Sequence, residues 1–200
     1  MSVHLPRLVV ASSNPRKLIE LGSLLAGLAT EIVPQSALGI PPAAETAMTF
    51  EGNALLKARH AARLSGSAAL ADDSGLEVDA LAGQPGVHSA RYAGSGASDA
   101  ANNAKLLEAL AGVPEPRRAR YRCVIALVRD GDDPAPLVAA GSWDGRIAFA
   151  ARGTGGFGYD PLFLVGEGPL TAAELPPEVK NRISHRALAL EALAASLGAA

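Results

Sequence analysis

Cysteine, tryptophan and lysine are nearly missing from this chain, which has one Cys, one Trp and four Lys among 200 residues. The solitary Cys123 has no partner within the chain for a disulfide, and no metal-ligand spacing surrounds it. A reducing, cytoplasmic setting is the natural expectation. No apolar run reaches the roughly 18 residues that a bilayer crossing needs. The opening Met1-Ser-Val-His-Leu-Pro-Arg7 lacks the charged-then-apolar pattern of an export signal, so neither a membrane nor a secreted role is expected. Positive charge is also scarce. With a net charge of −2 and only one short basic cluster, Arg117-Arg118-Ala119-Arg120, the chain has no stripe able to displace many counterions from a nucleic acid. That cluster reads as a solvated loop leading into a strand.

Nearly half of the residues, 48%, are hydrophobic, enough to bury a sizeable core in a single domain over 1–200. The scarcity of lysine draws attention to the four that remain, because fourteen arginines do the cationic work elsewhere. A compact ammonium is not equivalent to a planar guanidinium at a phosphate site.

The small apolar run Ala68-Ala69-Leu70-Ala71 reads as a buried strand that ends in Asp72-Asp73-Ser74-Gly75. Ligands of open α/β sheets gather beyond the carboxyl ends of strands, and alternation should send the two acids to opposite sides. An ordinary Asp-Ser-Gly turn is the alternative. Upstream, residues 7–12 read as a first buried strand, and Ser13-Asn14-Pro15 as the cap and first turn of a helix. Leu18, Leu21, Leu24, Leu25 and Leu28 mark that helix, with Gly27 weakening its end. Exposed N–H groups there, with Ser12, Ser13, Asn14 and Lys17 around them, would suit an anion. The P-loop pattern is absent.

Residues 31–34 read as a short strand, followed by a loop carrying Glu45 and a helix over 50–64. Phe50, Ala54, Ala58 and Ala61 mark its apolar face. Asn53 and Lys57 lie one turn apart, either on a solvated outer face or at a site. Residues 83–94 read as an ordered loop, Ser98-Asp99 as a helix cap, and 119–128 and 136–149 as antiparallel strands. Gly153-Thr-Gly-Gly-Phe-Gly158 matches GxGxxG literally, yet no helix opens after it, which excludes a dinucleotide fingerprint. A bare-backbone loop remains, with Phe157 and Tyr159 available for stacking. Near the end, Pro176-Pro177 interrupts a helical stretch, Ser184 caps a last helix, and Lys180, His185 and Arg186 gather at its start.

Six stretches in this order resemble the inosine/xanthosine triphosphate pyrophosphatase family, and the resemblance runs nearly end to end. They are Ala11-Ser-Ser-Asn-Pro-Arg-Lys17, Thr49-Phe-Glu-Gly-Asn-Ala-Leu-Leu-Lys57-Ala, Ala71-Asp-Asp-Ser-Gly-Leu76, Ser89-Ala-Arg-Tyr-Ala-Gly94, Gly153-Thr-Gly-Gly-Phe-Gly-Tyr-Asp-Pro161 and Ile183-Ser-His-Arg186. Ser12-Ser13-Asn14 departs from the Thr-Gly-Asn of many relatives.

The resemblance implies an α/β fold, two-lobed and elongated around a long mixed β-sheet with flanking helices and a cleft between the lobes. It also implies a magnesium cofactor, a homodimer, and hydrolysis of ITP, dITP and XTP to the monophosphate and pyrophosphate. By match to the family motifs, Ser12, Ser13, Asn14, Pro15, Arg16 and Lys17, with Lys57, would hold the triphosphate. Glu45 and Asp73 would ligate magnesium, Asp73 would also be the base, and Ser74 would touch substrate. Phe157, Gly158, Tyr159, Asp160, Lys180, His185 and Arg186 would form the base pocket. Two acids beside a polyphosphate suit magnesium, which is usually held by one or two carboxylates plus phosphate oxygens. A pyrophosphatase for pyrimidine nucleotides and a non-catalytic nucleotide sensor are the competing readings. The presence of both acids weighs against the sensor.

Overall fold

The computed structural model describes residues 5–25 and 29–199, so residues 1–4, 26–28 and 200, with Gly27 and Leu28 of the expected first helix among them, lie outside the described residues. Strand β1 (Leu5–Val10) leads into helix α1 (Pro15–Leu24), then β2 (Ala29–Pro34), α2 (Phe50–Ser65) and β3 (Ala68–Val78). Helix α3 (Asp99–Ala109) precedes β4 (Arg118–Val128), β5 (Leu137–Ile147) and the short β6 (Phe163–Val165). Helices α4 (Pro177–Ile183) and α5 (His185–Ala199) follow. The strands form one sheet in the order β2-β1-β3-β4-β5-β6. β1 is parallel to both β2 and β3, whereas β5 and β6 are antiparallel, which makes the sheet mixed. The first pairs are parallel because each crossover carries a helix, α1 and then α2, that returns the chain to the same end.

The chain divides into two compact units. The first comprises residues 1–73, 123–141 and 186–200, and the second 74–122 and 142–185. In the first, Leu8, Val10, Leu21, Leu25, Leu70, Ile125, Leu190 and Leu193 share a core with Cys123. Burial pushes that thiol up to about 12, which makes it an inert core residue. In the second unit, Leu76, Leu106, Leu110, Tyr121, Trp143, Tyr159 and Phe163 share another core.

Three expectations are corrected. The strand holding the two acids does not stop at them, because β3 continues through Asp72, Asp73 and Ser74 to Val78. Each acid has a cationic partner, so the backbone need not turn outward to solvate it. Pro176-Pro177 does not interrupt a helix but starts one, with Pro177 in the first turn of α4, where its missing N–H costs nothing. Arg117 is not solvated. It is buried, and its guanidinium donates to the carbonyls of Leu110 and Val113 near the end of α3 while lying 3.8 Å over the Phe149 ring.

Candidate active site

In the first unit, β3 carries its two carboxylates into the interior, Asp72 2% exposed and Asp73 6%. Because successive strand side chains alternate, the two acids have different partners. Asp72 Oδ2 meets Lys17 Nζ at 2.9 Å and Arg186 Nη2 at 3.1 Å. Arg186 also pairs with Glu20. Asp73 accepts from Lys57 Nζ at 2.8 Å on Oδ1 and from Asn53 Nδ2 at 3.2 Å on Oδ2. The same Lys57 ammonium donates to Glu45 Oε1 at 2.9 Å, so Glu45 and Asp73 converge on a single cation.

The electrostatics separate the two acids further. Burial would raise the Asp72 carboxyl, but Lys17, Arg186 and Lys57 together hold it well below the usual carboxylate range. Burial lifts the Asp73 carboxyl above its ordinary value, and Lys57 reverses this only in part. For Lys57, burial works to lower the pKa, yet Asp73, Asp72 and Glu45 outweigh it and raise it, so the ammonium stays charged. Asp72 is thus a permanent anion that holds cations, and Asp73 is the more basic carboxylate.

Asn53 is completely buried, and its amide joins two parts of the site. Its Nδ2 holds Asp73, while its Oδ1 accepts from Ala47 N at 3.0 Å in the loop that carries Glu45. The outer-face alternative for Asn53 and Lys57 is therefore excluded. Both turn inward from the first half of α2, whose N-cap Thr49 accepts through its hydroxyl from Gly52 N.

The start of α1 departs from expectation. Asn14 is the N-cap and Pro15 the first helical residue, but Asn14 Oδ1 accepts from the N–H groups of both Arg16 and Lys17, and Ser12 Oγ accepts from Asn14 N. Those N–H groups are satisfied within the cap. What this segment offers an anion is chiefly side-chain chemistry, the hydroxyls of Ser12 and the exposed Ser13 together with Lys17. Pro15 and Arg16 are exposed, and Ser74 is half-buried directly after Asp73.

In the second unit, Phe157–Asp160 forms a tight turn. Asp160 is buried and its Oδ2 accepts from Phe157 N at 2.8 Å and from Lys180 Nζ at 2.7 Å. A side chain at Gly156 would meet that same oxygen at 2.0 Å from its Cβ, so glycine is required there, at φ +68°. Phe157 stays half-buried with the Lys180 ammonium 5.0 Å from its ring centre, which leaves an aromatic face for stacking. Tyr159 does not share that role. It is 3% exposed, belongs to the core, and donates its hydroxyl to Ser89 O at 2.8 Å, as a buried phenol must.

The group Lys180, His185 and Arg186 is also divided. Lys180 lies in the last turn of α4, not at the start of α5, and reaches Asp160. The His185 ring stacks on Tyr121 at 4.7 Å and 10°. Arg186 belongs to the first unit, where its guanidinium is 1% exposed and paired with Asp72 and Glu20. The backbone donors of the turn are largely committed too, with Phe157 N on Asp160, Gly158 N on Asp99 and Asp160 N on Phe157 O.

Sequence reasoning read Asp72 as one of two acids at a strand end and Asp99 as part of a helix cap, and assigned no binding or catalytic role to either, nor to Glu20 or Asn103. The spacing of Lys17 and Glu20 on α1 placed them on one helix face, and the sheet neighbourship of β1 and β3 would have been needed to turn that into a network with Asp72.

Among the described residues, no three or more His, Cys, Asp or Glu side chains gather as metal ligands. Glu45 and Asp73 are the pair that could hold a hard cation, with oxygen donors only and a shared cationic partner already between them.

The Ham1 family model matches residues 8–196. A dITP/XTP pyrophosphatase of Methylococcus capsulatus is 60% identical over 194 residues, covering 96% of each chain. That of Thioalkalivibrio sulfidiphilus is 55% identical over 94% of this chain and 96% of its own. Among solved structures, a HAM1 protein from Coxiella burnetii superimposes with a TM-score of 0.89 at 50% identity, covering 97% of this chain and 99% of that one. The Staphylococcus aureus Ham1 protein does so at 0.85 and 41% identity, covering 96% of this chain and 98% of that one.

Proposed function

This chain belongs to the Ham1 family, and from that premise we propose that it hydrolyses nonstandard purine nucleoside triphosphates, namely ITP, dITP and XTP, to the monophosphate and pyrophosphate. The observation that carries the reading is the convergence of Glu45, Lys57 and Asp73, a cation flanked by two carboxylates, beside a third acid, Asp72, that is paired with Lys17.

Lys17, Lys57 and the hydroxyls of Ser12 and Ser13 supply charge and donors for a polyphosphate. Glu45 and Asp73 would hold magnesium, whose chemistry when bound is to neutralise phosphate charge and acidify water. Asp73, raised by its burial, takes the proton of the attacking water. Asn53 fixes the orientation of that carboxylate, and Asp72 keeps Lys17 in place. Phe157 stacks on the base, and Lys180, which has three donors and no acceptor, faces the same turn. Ordered backbone around Gly158 and the stacked His185 complete the base-binding set.

Among the described residues, no helix is long and apolar enough to cross a membrane. A cytoplasmic location, a homodimer and the absence of a nucleic-acid partner complete the same reading. The test is to incubate purified protein with magnesium and a panel of triphosphates and to resolve the products by chromatography. Inosine and xanthosine monophosphates with pyrophosphate are expected. Preferential cleavage of pyrimidine nucleotides, or no turnover at all, would overturn the reading.

A further inference from the structure

The motif Ser89-Ala-Arg-Tyr-Ala-Gly94 and helix α3 contribute no group to the chemistry above, yet both are fastened to the turn assigned to the base. Asp99 and Asn103 lie one turn apart on α3 and therefore on one face. Asp99 Oδ2 accepts from Gly158 N at 2.9 Å, and Asn103 Nδ2 donates to Gly158 O at 2.9 Å. Both polar atoms of this one glycine residue are thus held by the same helix. Gly158 sits at φ +63°, a left-handed conformation that an unrestrained loop would sample among several.

Helix α3 is itself anchored. Asn102 accepts from Ala93 N at 2.8 Å and donates to Ala90 O at 3.3 Å, and Lys105 Nζ donates to Tyr92 O at 2.6 Å. Ser89 in turn accepts from Leu76 N through its hydroxyl and from the Tyr159 hydroxyl through its carbonyl. The motif, the helix and the turn therefore form one hydrogen-bonded frame inside the second unit.

We infer that Asp99 and Asn103 are positioning residues that hold Gly158, and with it the flanking Phe157, in the conformation that receives the purine base. This rests on the assignment of Phe157–Asp160 to base recognition. The frame acts on binding of a part of the substrate remote from the reacting phosphorus, so its loss removes binding shared by ground and transition states.

The experiment compares Asp99→Ala, Asn103→Ala, the double variant, Asp99→Asn and Phe157→Ala, with inosine triphosphate as substrate and inorganic tripolyphosphate as a base-free inhibitor. The double alanine variant should raise KM for inosine triphosphate about tenfold with kcat within about twofold, and leave the tripolyphosphate inhibition constant unchanged. Asp99→Asn should recover most of the loss of Asp99→Ala, since an amide oxygen still accepts from Gly158 N. Thermal unfolding of each variant checks the fold. Should the double variant fail to fold, the single variants carry the same comparison. If Phe157→Ala raises KM and the α3 variants do not, the positioning role is wrong while the base assignment stands. A fall in kcat alone, or equal weakening of tripolyphosphate, also overturns it. If Phe157→Ala leaves KM unchanged, the base assignment itself fails and takes this inference with it.

Discussion

Asp72 and Asp73 are the same residue type at adjacent positions, yet their environments give them opposite tasks. Asp72 is locked as an anion by Lys17 and Arg186, so it neither takes nor gives a proton near neutrality. Asp73 is lifted by burial and is held at both oxygens, by Lys57 and Asn53. The isosteric change Asp73→Asn should therefore keep the fold while lowering turnover by at least about 10²-fold, the usual scale for a positioned base. Steady-state kinetics and a thermal melt check this, and near-normal turnover in a folded variant would remove Asp73 from the base role. For Asp72, the expectation concerns the fold instead. Asp72→Asn leaves Arg186 buried with one anionic partner fewer and should destabilise the protein by about 3 kcal/mol.

At the scale of elements, the loop carrying Glu45 and the helix α2 meet through Asn53, whose amide accepts from Ala47 N and donates to Asp73. Asn53→Ala deletes both bonds and leaves a part-buried N–H and a buried carboxylate oxygen without them. The expected loss is about 1–3 kcal/mol of stability. Activity should also need more magnesium, because Glu45 and Asp73 lose their common tether. Magnesium titrations of activity beside denaturant curves separate the two effects. An unchanged magnesium requirement would reduce Asn53 to a structural amide. At the 130–135 turn, by contrast, the Asp133 carboxylate is satisfied within the turn by Arg129 and Ala135, and the turn is tied to α2 through Arg59 on Asp133 O and Arg63 on Asp132.

For the whole molecule, pH and substrate choice are the readable outputs. The folded pKa of Asp72 is depressed below its ordinary 3.8, so in acid the unfolded chain binds a proton that the folded chain refuses. Stability from this group is fully present above pH 3.8 and declines as pH falls below that value. Asp72→Asn should flatten that acid limb in urea midpoints measured from pH 5 downward, and an unaltered slope would place the acid sensitivity elsewhere. As to substrate, the proposed base-binding set offers Lys180 at the turn and His185 stacked on Tyr121, with Arg186 committed to Asp72 and Glu20. A 6-keto purine presents an acceptor to such donors, whereas adenine presents an amino group. Mispaired polar groups can discriminate by about 10⁴-fold, so the specificity constant for inosine triphosphate should far exceed that for adenosine triphosphate. Values within about tenfold of each other would defeat the donor account.

By itself the sequence determined where most helices and strands lie, through local periodicity and caps, and its six motifs, by their resemblance to a family, carried the class of fold and the residues of the site. The capping of α1 by Asn14, the inward face of Phe50, Ala54 and Ala58, and the exclusion of a dinucleotide loop at Gly153–Gly158 were all legible in that way. Partnership was not. Arg186 and Asp72 are 114 positions apart and Arg186 and Glu20 166 apart, and no local pattern says that a guanidinium belongs with an acid at that separation. Nor does composition reveal that β3 can carry two acids through its middle, since that depends on Lys17, Lys57, Asn53 and Arg186 arriving from other elements. A buried charge is stable only beside its partners, and only the tertiary structure decides which partners arrive.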